Sequence, residues 1–383
     1  MWQYGKVPKG WSIEKIGEYA SIITDYVANG SFAALAENVN YKSEPDYAVL
    51  IRLTDYNNNF SGDFVYIDEH AYEFLSKSKL YGNEIIISNV GANVGTVFKC
   101  PKLQKKMSLA PNAIMLKTKG NDDFYYYWFM SRNGQHSLQS IVTGSAQPKF
   151  NKTNFKELLV PVPPLDIQEK IAEYLCDIDK KIEVNKKINE NLAYQAQAIY
   201  QQLFVTEANP DWPLGHLSDL IDIKYGKDHK KLADGTYPVY GSGGIMRYVE
   251  RPLYEKESVL IPRKGTLNNV MYVNQPFWSV DTMFYTEMKQ ANIAKFVYHY
   301  VKSKDLVSMN AGSAVPSMTT AILNAMELKI PSEEVLLQFE NSIAPMYEMI
   351  KKNEEQSRKL AALRDTLLPK LMSGEIDVSN LDL

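Results

Sequence analysis

From Pro164 onward, side chains of one helical face recur every seven positions. Ile171, Ile178, Asn185, Leu192 and Ile199 form one column, and Leu175, Ile182, Asn189, Ala196 and Leu203 form a second, four residues later. Alternating steps of four and three put both columns on one face of a helix, so the pattern predicts a coiled-coil seam. It returns near the end of the chain, with Phe339, Met346, Asn353, Leu360 and Leu367 beside Ile343, Ile350, Ser357, Arg364 and Leu371. Each helix should run for about 38 residues, about 57 Å at the α-helical rise. Pro161, Pro163 and Pro164 precede the first and Pro331 the second. Proline lacks the N–H that a helix interior needs, so these residues mark where each helix begins. Pro345 falls inside the second helix and should kink or break it, whereas its counterpart in the first is Asp177.

Upstream of each helix the texture is that of strands and turns. Tyr47 to Ile51, Glu84 to Ser88 and Ser258 to Ile261 are short β-branched runs bounded by Gly, Asn, Asp or Pro. Helical patterns around Phe124 to Met130 and Ala294 to Val301 make these regions mixed. The expected fold is α+β, with two mixed α/β domains separated by two long helices that form an antiparallel coiled coil. Its parts are residues 1–160, a first domain; 161–207, the first helix; 208–330, a second domain; and 331–383, the second helix and tail.

The order reflects an internal repeat at an offset of 168 residues. Gly144, Ser145, Ala146 and Pro148 recur as Gly312, Ser313, Ala314 and Pro316; Pro163, Ile182, Asn185 and Leu192 recur as Pro331, Ile350, Asn353 and Leu360. Two copies are too few for a solenoid, so the chain imitates a dimer with a pseudo-twofold axis. Equivalent residues of an antiparallel pair meet only where that axis crosses it. Asn185 and Asn353 lie near mid-helix, so their amides should face each other and fix the register, because sliding would leave them unpaired in apolar surroundings.

A chain of 383 residues with 45% apolar content can bury two cores. It contains no run of 18 apolar residues, and Trp2, Gln3, Tyr4 and Gly5 do not open a secretion signal. Cys100 and Cys176 are too few for a disulfide framework and fit a reducing, cytoplasmic location. The net charge is −3, yet the helical stretches 158–210 and 331–383 carry −3 and −4 and the two domains +2 each. Differences of this size can also arise without function.

The sequence lacks a P-loop and the glycine and Asn/Asp-Pro-Pro-aromatic motifs of adenine methyltransferases. The histidines at 70, 136, 216, 229 and 299 never reach metal-ligand spacing. Pro210-Asp211 and Asp228-His229-Lys230 match a loose metal-dependent nuclease signature. Asp211-Trp212 also aligns with Gly10-Trp11 where the first helix ends and the next domain begins, so a domain boundary explains the match.

The loops offer positioned donors instead. Asn89 and Asn93, and Arg263, Lys264 and Asn268, follow equivalent strands beside glycines. Asn pairs with adenine and Arg or Lys with guanine in the major groove. The segments holding Ser145, Gln147 and Lys149, and Ser313, could bond phosphates. Lys227, His229, Lys230 and Lys231 join Tyr240 and Ser242 in a second basic and glycine-rich group, and Arg52 completes the candidates. Three readings remain from the residues alone: a DNA reader, a nuclease, and a coiled-coil scaffold.

Leu363-Arg-Asp-Thr-Leu-Leu-Pro-Lys-Leu-Met-Ser-Gly-Glu-Ile376 resembles the closing segment of the second helix in the DNA-specificity subunits of type I restriction-modification systems. Val160-Pro-Val-Pro-Pro-Leu-Asp-Ile-Gln-Glu-Lys-Ile171 is similar to the start of that family's first helix, and the Trp11, Trp212 and Gly-Ser-Ala segments fit its recognition domains. The second helix start, Ile330-Pro-Ser-Glu333, lacks the double proline. The resemblance implies two target recognition domains, each reading one half of a split double-stranded DNA site, with the helices as a ruler. It further implies no catalytic residues and no cofactor of the chain's own. S-adenosylmethionine, ATP and Mg²⁺ would belong to partners: two modification (methyltransferase) subunits and the restriction (nuclease-translocase) subunits.

Overall fold

The structure, a computed structural model, describes residues 7–310 and 316–378. The chain divides into two compact units, Met1–Val184 with Gln356–Leu383, and Asn185–Glu355.

In the first unit, Ala20–Asp25, Ala113–Thr118, Ile85–Ser88 and Val97–Lys99 form, in that order, a four-stranded antiparallel sheet. Every residue of Ile85–Ser88 is buried, the setting that suits β-branched residues in a central strand. A second sheet runs Val65–Ile67, Ala48–Ile51, Lys106–Leu109, Lys79–Leu80, with its middle pair parallel. A ribbon of Ser12–Lys15 against Leu159–Val162 joins the two ends of the domain. Ile85, Ile87 and Leu116 share a core with Trp128 and Phe129 of the helix Asp122–Met130, and with Ile171, Leu175, Leu371 and Met372 of the long helices.

The second unit repeats this plan. Ile221–Tyr225, Met283–Met288, Ser258–Pro262 and Met271–Val273 follow the same order, and Leu214–His216 pairs with Glu327–Lys329 as the ribbon. Its second sheet has three strands, Gly244–Val249, Asp234–Gly241 and Trp278–Ser279, again with one parallel pair. Among the described residues, the short helix Phe32–Asn38 that follows Ala20–Asp25 in the chain has no counterpart after Ile221–Tyr225. Ala196, Tyr200, Phe339 and Ile343 of the long helices lie in one core with Phe296 and Val297.

The first long helix is Leu165–Gln201, 37 residues, followed by a wider π turn at Gln202–Thr206; the second is Glu333–Met372, 40 residues. The break expected at Pro345 does not occur. Pro345 is exposed, as is Asn341, whose carbonyl loses its donor to the proline, so water can serve that carbonyl. Nearby Ile343 is fully buried, and its packing carries the helix through the defect. The helices form an antiparallel coiled coil: in the second unit Asn185 reaches Asn353 while Asn189 reaches Ile350, so numbers rise along one helix as they fall along the other.

Candidate nucleic-acid interface

In the first unit the central strand delivers Asn89 into a loop that turns through Gly91 and Gly95, both at positive φ. The Gly91 N–H donates to the Pro148 carbonyl at 2.9 Å, the Phe150 N–H to the Asn89 carbonyl at 3.0 Å, and Val90 and Thr143 both bridge to Lys149. Two loops that the sequence separates by some fifty residues are thus laced into one surface. Asn93, Ser145, Gln147 and Lys149 on it are exposed. Asn89 differs, because its Nδ2 donates to the Phe150 carbonyl at 3.1 Å and so holds the loops together. Arg52 is also committed internally. Its Nη2 bonds Asp55 Oδ1 at 2.5 Å and the Asp63 carbonyl at 2.9 Å, and Asp55 is buried, so the guanidinium ties a turn.

The second unit pairs the equivalent loops. Lys264 bridges to Ser317, and the Met318 N–H donates to the Arg263 carbonyl at 2.9 Å. Ser313 lies outside the described residues. Three segments, the Arg263 loop among them, converge on Trp278–Met283: the Lys227 N–H donates to the Ser279 carbonyl at 2.8 Å, the Val280 N–H to the Tyr240 carbonyl at 3.1 Å, and the Arg263 N–H to the Thr282 carbonyl at 2.8 Å. Asn269 Nδ2 donates to the Ser242 carbonyl at 2.8 Å, adding the glycine-rich turn. The first unit has the matching hub, where Ala110 donates to Ile51 and Asn89 to Asn112 at 3.1 and 3.0 Å.

Lys227, Lys230, Lys231, Lys264 and Asn268 are exposed, and His229, Tyr240, Ser242 and Arg263 are partly buried. The Arg263 guanidinium lies 5.5 Å from the Tyr225 ring centre and donates through Nη1 to the Asp281 carbonyl at 3.1 Å. Stacking and one bond fix the plane of the fork and leave its other edge free to pair with a base. Asn268 Nδ2 bonds Asp305 Oδ1 at 3.3 Å, so that amide is partly occupied.

The nuclease-like residues have local roles. Asp228 Oδ1 accepts the Lys230 N–H at 3.0 Å, and that bond holds its carboxyl below the usual range. Trp212 packs on Phe204 at 6.0 Å, marking the boundary between helix and domain. Among the described residues no group of three His, Cys, Asp or Glu could hold a metal ion.

At the seam, Asn185 is 1% exposed and Asn353 9%. The equivalent residues meet, but the bond differs from the expected amide pair. Asn185 Nδ2 donates to the Asn353 backbone carbonyl at 3.4 Å, Asn353 Nδ2 to Asn189 Oδ1 at 2.8 Å, and Asn189 Nδ2 to the Ile350 carbonyl at 3.3 Å. Asn189 is a third member that its place in the companion column could have signalled.

His299, which metal-ligand spacing set aside, is 1% exposed. Its Nδ1 lies 2.8 Å from Gln197 Oε1 and its Nε2 2.9 Å from the Tyr347 hydroxyl. A carboxamide oxygen only accepts, so Nδ1 carries the proton and Nε2 accepts from Tyr347. Burial, with a smaller contribution from Lys302, pushes the imidazole pKa down from 6.5 to about 3. The unfolded chain therefore takes up a proton below pH 6.5 that the folded chain refuses until about pH 3. Stability is lost as pH falls through that window. In His299→Gln, the slope of thermal midpoint against pH should flatten between those limits, and an unchanged slope would contradict the buried neutral imidazole.

The family model of the type I restriction modification DNA specificity domain matches residues 8–194 and 209–342. The chain belongs to the type I restriction-modification DNA specificity family. The MjaIX specificity subunit of Methanocaldococcus jannaschii is 22% identical over 98% of this chain and 96% of its own length. The HindI specificity subunit of Haemophilus influenzae is 30% identical, with 71% of this chain and 80% of that one covered. The fold is that of the type I S subunit from M. genitalium, with a TM-score of 0.62, 18% identity, and 97% and 99% of the two chains covered. As a specificity subunit the chain serves DNA sequence recognition alongside other restriction-modification subunits and is not itself an enzyme. Among the described residues no helix is long and apolar enough to cross a membrane.

Proposed function

We propose that this specificity subunit reads a bipartite, asymmetric double-stranded DNA site. Each unit's loop cluster takes one half, and the helix pair sets the unspecified spacer and docks two modification subunits, with restriction subunits completing the complex. The observation that carries this reading is the twofold recurrence of one loop pairing, Val90 with Lys149 and Lys264 with Ser317, each beside exposed Asn, Lys or Ser side chains. One surface made twice on one chain suits two half-sites about 34 to 36 Å apart along the duplex. Asn93 and Gln147, and Arg263, Lys264 and Asn268, are the proposed base readers. Ser145, Lys149, Lys227, Lys230, Lys231 and Ser313 are the proposed phosphate contacts, with His229, Tyr240 and Ser242 flanking them. The chain needs no cofactor in this role; S-adenosylmethionine, ATP and Mg²⁺ serve its partners, in the cytoplasm.

A methylome from cells expressing the chain with its modification subunit tests the reading. A split motif with a fixed unspecified gap is expected, and a continuous motif would contradict it. Within that assay Arg263→Ala should cost about 1 to 3 kcal/mol at one guanine position of the second half-site. Equal weakening on all sequences would make Arg263 a phosphate contact instead.

A further inference from the structure

In each unit one short helix of the globular domain is bonded to the long helices through polar side chains. In the first, Tyr127 of Asp122–Met130 donates its hydroxyl to Asp179 Oδ2 on the first long helix at 2.6 Å. Arg364 on the second long helix donates to Asp179 Oδ1 at 2.7 Å. In the second, His299 of Ala294–Lys302 is held between Gln197 on the first long helix and Tyr347 on the second, at 2.8 and 2.9 Å.

The two arrangements share one long-helix position of the repeat and the same place along the short helix, while the third member shifts by one residue. Tyr127 and His299 are each the sixth residue of a nine-residue helix, and Asp179 and Tyr347 are related by the 168-residue offset. The chemistry is not shared. One clamp is a phenol with an ion pair, the other a neutral imidazole between an amide and a second phenol. Geometry that persists while the side chains change points to the three-way contact itself as the feature retained. Apolar packing alone fixes rotation of a domain about a helix pair weakly, because it is not directional; directional bonds fix it, made by His299 to both helices and by Tyr127 to Asp179, which Arg364 ties to the other helix.

We propose that these clamps are positioning devices, with Tyr127 and His299 setting the rotation of each recognition domain on the helix pair and thereby the spacer length that the subunit accepts. The inference rests on the bipartite reading. Adding one base pair to a spacer turns one half-site by about 34° and shifts it by about 3.4 Å, for 10.5 base pairs per turn. Only domains held in rotation can refuse that displacement.

The test uses the full chain with its modification subunit and duplexes carrying the cognate spacer or one longer or shorter by one base pair. Tyr127→Phe and Tyr347→Phe each remove one hydroxyl and keep the ring. The wild type should discriminate between spacers by about a hundredfold, within the range of a mismatched site. Either variant should lower that ratio about tenfold while leaving base preference in both half-sites unchanged. Ile67→Ala, in a core cluster that includes no residue of the long helices, serves as a control that lowers stability and keeps the ratio. Variants that discriminate like the wild type, or that weaken on all spacers equally, overturn the clamp. A wild type indifferent to spacer length would instead overturn the bipartite reading beneath it.

Discussion

Replacing residues 12–162 with the matching segment of another family member should change one half of the methylated motif and leave the other half and the gap intact. The structure sets those limits. The ribbon pairs Ser12 with Val162 and Lys15 with Leu159, so both cuts fall at one place and the strand pair moves as a unit. Every proposed reader of the first unit lies inside the exchange, and the hub Leu109–Ala113 that supports them moves along. The long helices, which start at Leu165 and Glu333, stay behind. Each wrong base pair costs about 1 to 3 kcal/mol, so a half-site of several mismatches should lose nearly all specific binding to the old sequence. Methylome sequencing reads the outcome. A change in both halves would show that the two loop clusters do not read independently.

Leucine at Asn185, Asn189 and Asn353 together should stabilise the chain by about 1 to 3 kcal/mol, since two buried amides and one partly buried amide give way to apolar packing. The register should loosen at the same time. Each amide now donates to a partner that moves away if one helix slides: Asn185 to the Asn353 carbonyl, Asn353 to Asn189, and Asn189 to the Ile350 carbonyl. Leucine makes equivalent contacts after a heptad shift, so the middle of the seam would then no longer oppose sliding. Changing only Asn185 and Asn353 strands Asn189 without the Asn353 donor, and the gain should shrink or vanish. Thermal denaturation gives the first quantity and the range of spacers methylated gives the second. Greater stability with an unchanged gap would show that the domain docks, not the asparagines, set the ruler.

The sequence by itself determined the parts of this protein that depend on periodicity. A seven-residue repeat can be satisfied only by a helix with one apolar face, so both long helices were legible to within a few residues. The 168-residue recurrence made their antiparallel pairing and the meeting of Asn185 with Asn353 a matter of symmetry. The loop residues were legible only as types, because Asn, Arg and Lys beside glycine can either tie loops together, as Asn89 does, or face a ligand. Tertiary structure decided what each side chain is free to do. Nothing in the local sequence says that Asn89 bonds Phe150, 61 positions away, or that Arg52 turns back on Asp55. Nor does it say that Lys149 joins Val90, or that His299 lies between Gln197 and Tyr347. Pro345 shows the same limit from the other side: its local cost is real, yet exposure of one carbonyl and burial of Ile343 keep the helix intact. Backbone period is a property of neighbours in the chain. Hydrogen-bond partners and burial are properties of neighbours in space, and only the fold assigns those.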